Sequence, residues 1–253
     1  MKTQISLFGL IFFFTSVTVS AQVETPRQMQ GYRDYLDSHL APHMTTERAG
    51  QANTSTVSLQ QLQHKIPKEA QKEQKKASDA IRKGDNQLAL LHMQNAVKID
   101  PEFADVYNDL GVVLGWLGHM DQAAEQFQRA IELVPDHYKA VKNLSIALYM
   151  LGRCDEALPV ARRALRIDPA YEQVHYVLGF CLVAENGDTV EALTNLERAA
   201  GDFPKARLVA SEILAESGRR DEAAQELEKY LDSVPLGAAG RKKVEEQIAQ
   251  LRQ

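Results

Sequence analysis

Cysteine is nearly missing from this sequence: two residues in 253 cannot build a disulfide-held scaffold or a four-cysteine zinc site, so apolar packing has to make the core. Glycine and proline, at 14 and 9, are too few for collagen or a Gly/Pro-rich tail. Positive charge is not in excess either. Against 34 acidic side chains stand 29 basic ones, a net −5, so nucleic acid is not expected as a partner. Catalytic signatures are missing: there is no His-Glu-x-x-His, no Gly-x-Ser-x-Gly and no glycine-rich phosphate loop, so neither enzyme activity nor a cofactor is expected. His39 and His43 have helical spacing, but Pro42 between them breaks the helix that would bring both to one metal. Four further scattered histidines, His92, His119, His137 and His175, read as surface or groove residues. Glu185-Asn186-Gly187-Asp188 lacks the alternating ligands of a calcium loop and reads as a turn. What is present, 44% hydrophobic and 25% charged residues, is the balance of a soluble, folding chain.

One basic residue, Lys2, precedes an apolar run from Ile5 to Val19, and Val19-Ser20-Ala21 supplies small residues for cleavage. As a helix the run spans roughly 22 Å, short of the roughly 30 Å hydrocarbon layer. Residues 1–21 are therefore expected to be a signal peptide, the alternative being an uncleaved N-terminal anchor. The reading places the chain outside the cytoplasm, periplasmic or secreted, with no stable membrane insertion after cleavage. Residues 22–58, poor in large apolar side chains, read as a flexible linker, with a weak amphipathic stretch from Arg27 to Leu40. Apolar spacing returns at Val57, Leu59, Leu62 and Ile66, and Pro67 suits the first turn of a helix. Asn53-Thr54-Ser55 and Asn143-Leu144-Ser145 match the short glycosylation pattern.

From there the chain repeats itself. Prolines at 101, 135, 169, 204 and 235 are 34, 34, 35 and 31 residues apart. Ala89, Ala123, Ala157, Ala192 and Ala223 keep the same steps, as do Gly84, Gly118, Gly152, Gly187 and Gly218. One residue is thus added between Gly179 and Gly187, and three are lost between Pro204 and Gly218. Within one unit, Tyr107, Leu110, Gly111 and Leu114 share a helical face, Gly118 ends that helix, and Ala123, Phe127, Ala130 and Ile131 share the face of a second. Small residues let the two backbones approach, and stacking hides the face that a lone hairpin leaves bare.

The 34-residue step, with Tyr107, Leu110-Gly111, Leu114, Ala123, Phe127, Ala130 and Pro135, resembles the tetratricopeptide repeat. The resemblance implies an all-α, right-handed α-solenoid of about five helical hairpins over residues 59–253. Repeats fall at about 68–101, 102–135, 136–169, 170–204 and 205–235. Ala238 to Leu251, with Val244, Ile248 and Leu251 amid charges, resembles the C-terminal capping helix, expected at 238–252. The polar first helix, with Glu73, Lys76 and Ala80 at usually large apolar positions, suggests an end cap.

The resemblance also implies that first helices line a concave groove and that the chain is a non-catalytic scaffold binding a protein or peptide segment there. Carried over by position, the partner-binding candidates are Asn108, Val112, Trp116, Lys139, Lys142, Asn143, Ile146, Tyr149, Tyr176 and Phe180. Asparagine amides would hold a peptide backbone, lysines carboxylates, and rings apolar side chains. Simple packing of Trp116 and Tyr149 and simple solvation of the lysines stay open, and the asparagines are the preferred binding residues. Lys142 and Asn143 are adjacent, while Gln74 and Asp109 stand where a chaperone-type carboxylate clamp wants Lys and Asn, so that ligand is not expected. Cys154 and Cys181 should lie on helices that pack antiparallel, either bridged or as two reduced buried thiols. The alternatives to groove binding are a structural subunit of an envelope or secretion assembly docking by its convex face, and an accessory domain of an enzyme.

Overall fold

The computed structural model describes residues 64–233 and 237–253. The expected signal peptide, linker, Asn53 sequon, His39, His43 and Pro235 lie outside them. The described chain divides into two compact parts, residues 64–152 and 153–253. The first contains α1 (Lys68–Arg82), α2 (Asn86–Ile99), α3 (Ala104–Trp116), α4 (Met120–Leu133) and α5 (Tyr138–Met150). The second contains α6 (Cys154–Ile167), α7 (Glu172–Ala184), α8 (Thr189–Ala199), α9 (Ala206–Glu216), α10 (Arg220–Ser233) and α11 (Ala238–Leu251). Among the described residues there is no strand.

In the first part α1 packs on α2 and α3 on α4, with α2 against α3, α4 against α5, and α3 touching α5. In the second, α7 pairs with α8 and α9 with α10, while α6 packs on α7 and α11 on α10. Each tight pair rests on a size match. A methyl group on Gly111 would come within 2.6 Å of the Phe127 ring and 3.0 Å of the Ala123 carbonyl oxygen. On Gly179 it would meet Leu196 at 2.7 Å. Phe127 and Leu196 are fully buried, so a large side chain on the second helix fills the space that glycine leaves on the first.

The turn that follows a first helix needs one residue in the left-handed region. Gly84, Gly118, Gly152 and Gly218 supply it, with φ between 72° and 85°. The fourth repeat departs from the expected column. Its left-handed residue is Asn186, at φ 52°, whereas Gly187 lies against Leu182 and donates its N–H to the Leu182 carbonyl at 2.7 Å. Asn186 follows Gly152 by 34 residues, so the added residue enters after the turn position, between Asn186 and α8. There Asp188 caps α8, accepting from the Val190 and Glu191 N–H groups. The three-residue loss shortens α9 to 11 residues against 13 for α7. At the C-terminal end, Val244 and Ile248 of α11 are buried with Ala224, Leu227, Tyr230 and Leu231, and Leu208 and Leu251 pack against this cluster.

Candidate functional site

In residues 64–152 the first helices α1, α3 and α5 are joined side chain to side chain. Asn143 on α5 donates to Asn108 Oδ1 at 3.0 Å, and Asn108 donates to Asp109 Oδ1 at 3.2 Å. From the other side, Gln74 on α1 reaches Asp109 Oδ2 at 3.5 Å. Asn108 and Gln74 thus donate to one carboxylate, and Asn143 donates to Asn108. Beside it, His137 caps α5: its Nδ1 accepts from the Ala140 N–H, which leaves the Nε2–H to donate to Asp105 at 3.2 Å.

The charges on this row are unequal. Burial, with the neighbouring negative charge of Asp105, pushes the Asp109 carboxyl up to about 6, against the opposing pull of Lys139 and of the Asn108 and Gln74 donors. The hydrogen bond from His137 holds Asp105 below the usual carboxylate range, although partial desolvation by neighbouring atoms opposes it. Burial disfavours the Lys139 ammonium, but Tyr138, Asp109 and Asp105 outweigh it and raise its pKa. The Lys139 Nζ lies 5.7 Å from the centroid of the Tyr138 ring.

The two preferred binding residues turn out differently from the expectation. Asn108 and Asn143 are 2% and 1% exposed and spend their amides on the row itself. An amide at such a position is retained by a partner 35 residues away, a pairing that helix propensity does not reveal. Burial also removes Asn143 as a glycan acceptor. Val112, Trp116 and Ile146 are buried as well, which for Trp116 favours packing. Neither Trp116 Nε1 nor Asn143 Oδ1 has a hydrogen-bond partner among the described residues. Lys139, Lys142 and Tyr149 are half-buried and Asp105 and Tyr138 exposed, so the accessible face carries charge and phenol rather than amides. Sequence reasoning missed Tyr138 as part of this site.

Two histidines read as surface or groove residues are internal instead. His137 is the buried cap just described, and His175 is buried between Asn195 Oδ1 at 2.6 Å and the Pro169 carbonyl at 2.9 Å. His92 is half-buried and paired with Glu73 at 2.7 Å, while His119 is exposed. Lys76 and His92 hold the Glu73 carboxylate down at about 2.

Within residues 153–253, Cys154 and Cys181 are joined by a disulfide with a Cα separation of 5.0 Å, inside the usual range for a bridge. It ties the first residue of α6 to α7. Tyr176 and Phe180 are half-buried on α7 with ring centroids 6.4 Å apart, and Tyr176 stacks on Phe203 at 5.4 Å. A cavity of about 400 Å³ lies between α6, α7 and α8, lined by Arg162, Arg166, His175, Glu191 and Arg198 among others. Arg162 is already committed to Glu191 by two hydrogen bonds, at 3.1 and 2.8 Å.

A sequence profile of the tetratricopeptide repeat matches residues 117–172 and 180–238. These residues carry tetratricopeptide repeats. No curated protein matches the chain by sequence. Solved structures match the chain by fold. MamA (residues 41 to the end) from Desulfovibrio magneticus RS-1 aligns at TM-score 0.60 and 18% identity, over 66% of this chain and 96% of that one. YrrB, described as a TPR protein with an unusual peptide-binding site, aligns at TM-score 0.56 and 23% identity, over 63% and 83%. PilW, described as a type IV pilus biogenesis factor, aligns at TM-score 0.57 and 23% identity, over 74% and 87%. At these identities the likeness is one of fold. The tetratricopeptide-repeat fold is an all-α solenoid architecture, and its general role is that of a protein-interaction scaffold. Among the described residues no helix is long and apolar enough to cross a membrane.

Proposed function

We propose that the row formed by α1, α3 and α5 binds an extended segment of another protein. The observation that carries this reading is the alignment of three successive first helices through Gln74, Asp109, Asn108 and Asn143, which builds one fixed polar surface from separate repeats. The half-buried or exposed side chains on it, Asp105, Tyr138, Lys139, Lys142 and Tyr149, supply charge of both signs and aromatic area at little rotamer cost for the rings. Asn108 and Asn143 set the surface and do not touch the partner. Tyr176 and Phe180 form a second, separate aromatic patch within residues 153–253.

The bridge between Cys154 and Cys181 supports an exported, oxidising location for the mature chain, since such bonds persist outside the reducing cytoplasm. Capture of partners from an exported fraction tests the groove. Lys142→Glu with Tyr149→Ala should abolish capture, while Gln122→Lys with Glu125→Lys, on exposed positions of α4, should leave it intact. The opposite pattern would move recognition to the second helices and refute the groove reading.

A further inference from the structure

One arginine of α8 lacks the carboxylate that its counterparts in other repeats have. The residues just before Ala130, Ala164, Ala199 and Tyr230 are Arg129, Arg163, Arg198 and Lys229. Arg129 pairs three residues on with Glu132 at 2.9 Å, and Lys229 pairs three residues back with Glu226 at 2.6 Å. Arg163 is engaged as well. Around Arg198 the places that hold those glutamates are taken by Gly201 and Asn195. Arg166 on α6 is equally bare: three and four residues away on either side stand Arg162, Arg163, Pro169 and Ala170. Both arginines are exposed, and among the described residues neither makes an ion pair.

The cavity between α6, α7 and α8 brings the two together, since both line it along with the apolar Leu165 and Leu178. Its third arginine, Arg162, is neutralised by Glu191, 29 residues further along the chain. The same offset sets Arg166 against Asn195, which carries no charge. Asn195 spends its amide elsewhere, donating to the Glu191 carbonyl at 2.7 Å and accepting from His175 at 2.6 Å. The lining therefore keeps two positive charges that no lining carboxylate offsets, in a chain whose net charge is −5. We infer that this cavity binds a small phosphate monoester. Two guanidinium forks match a group with three terminal oxygens and a charge of about −2, whereas a carboxylate offers one charge and two oxygens. A volume of about 400 Å³ lies in the range of small-ligand sites, so the cavity takes the organic part of the ester as well as its phosphate. Leu165 and Leu178 supply apolar contact for that part, and the dianion replaces repulsion between Arg166 and Arg198 with charge-assisted hydrogen bonds.

Isothermal titration calorimetry on the full chain at pH 7.5 tests the inference, with phenyl phosphate as the probe and benzoate as the singly charged comparison. Phenyl phosphate should bind at one saturable site, about tenfold or more tightly than benzoate. Arg166→Gln and Arg198→Gln should each weaken it by about tenfold or more, while Arg220→Gln, at an exposed position of α10, leaves it unchanged. Circular dichroism should show wild-type helix content in all three variants. Wild-type chain that does not saturate with phenyl phosphate, equal weakening by Arg220→Gln, or benzoate bound as tightly would each overturn the site. A phosphoserine peptide that binds through Arg166 and Arg198 where phenyl phosphate does not would overturn it in favour of a protein partner.

Discussion

Asp109 is the residue at which the polar row can be interrogated by pH. Its carboxyl titrates at about 6 in the folded chain against an ordinary 3.8, because burial and Asp105 disfavour its charge more than Lys139, Asn108 and Gln74 favour it. A raised carboxyl pKa means that the folded state holds a proton the unfolded chain has already released. Between pH 3.8 and 6 the unfolded state therefore binds fewer protons, and stability from this group falls as pH rises through that window, with the full cost present above 6. A shift of this size corresponds to about 3 kcal/mol, and solvent around a partly exposed carboxylate reduces it to about half. Asp109→Asn keeps the shape and removes the charge. The variant should be more stable than the wild type by about 1–2 kcal/mol at pH 7.5, and the two should converge near pH 4. Urea unfolding followed by circular dichroism across pH 4 to 8 measures the difference. Asp105, depressed by its His137 bond, contributes stability that is lost only as pH falls below the ordinary 3.8, outside this window. An Asp109→Asn chain with the wild-type pH profile, or one less stable at pH 7.5, would refute the account of the row as a charge held against its environment.

Two further outcomes follow from packing and covalent structure. Replacing Cys154 and Cys181 by serine should lower stability by about 3–4 kcal/mol on the chain-entropy model, read as a denaturation midpoint shift that reductant reproduces in the wild type and not in the variant. Gly111→Ala should cost about 1–3 kcal/mol because the new methyl meets Phe127 and a backbone oxygen, and Phe127→Leu in the same chain should recover part of the loss in a double-mutant cycle.

Period and size were legible in the sequence because they act through the backbone. A left-handed turn tolerates few residues, and a close helix contact only the smallest, so Gly84, Gly118 and Gly152 and the pair Gly111 and Phe127 declare themselves at fixed steps. The fourth repeat misled because asparagine also tolerates the left-handed region, which let Asn186 take the turn while a neighbouring glycine kept the column in appearance.

The polar row was illegible for a different reason, and the same reason shows how it could have been found. Each unit alone presents Gln74, Asn108 or Asn143 as an unremarkable helix-face amide, and nothing in local propensity separates a solvated amide from a paired one. The pairing lies across repeats, and it does not follow the 34-residue step: Gln74 meets Asp109 and Asn108 meets Asn143, both 35 apart. Neighbouring first helices therefore bring residue i of one repeat opposite residue i+1 of the column in the next. Polar residues separated by one period plus one are the ones that meet here, whereas those exactly one period apart, such as Asn108 and Lys142, repeat a position in the column. That offset gives the buried Asn143 amino group an acceptor in Asn108 and so sets the register of α5 against α3, while Asn143 Oδ1 stays without a partner among the described residues. An unpaired amide there would cost about 1–3 kcal/mol, so a first helix slipped by one residue against its neighbour would lose the bond that now satisfies it.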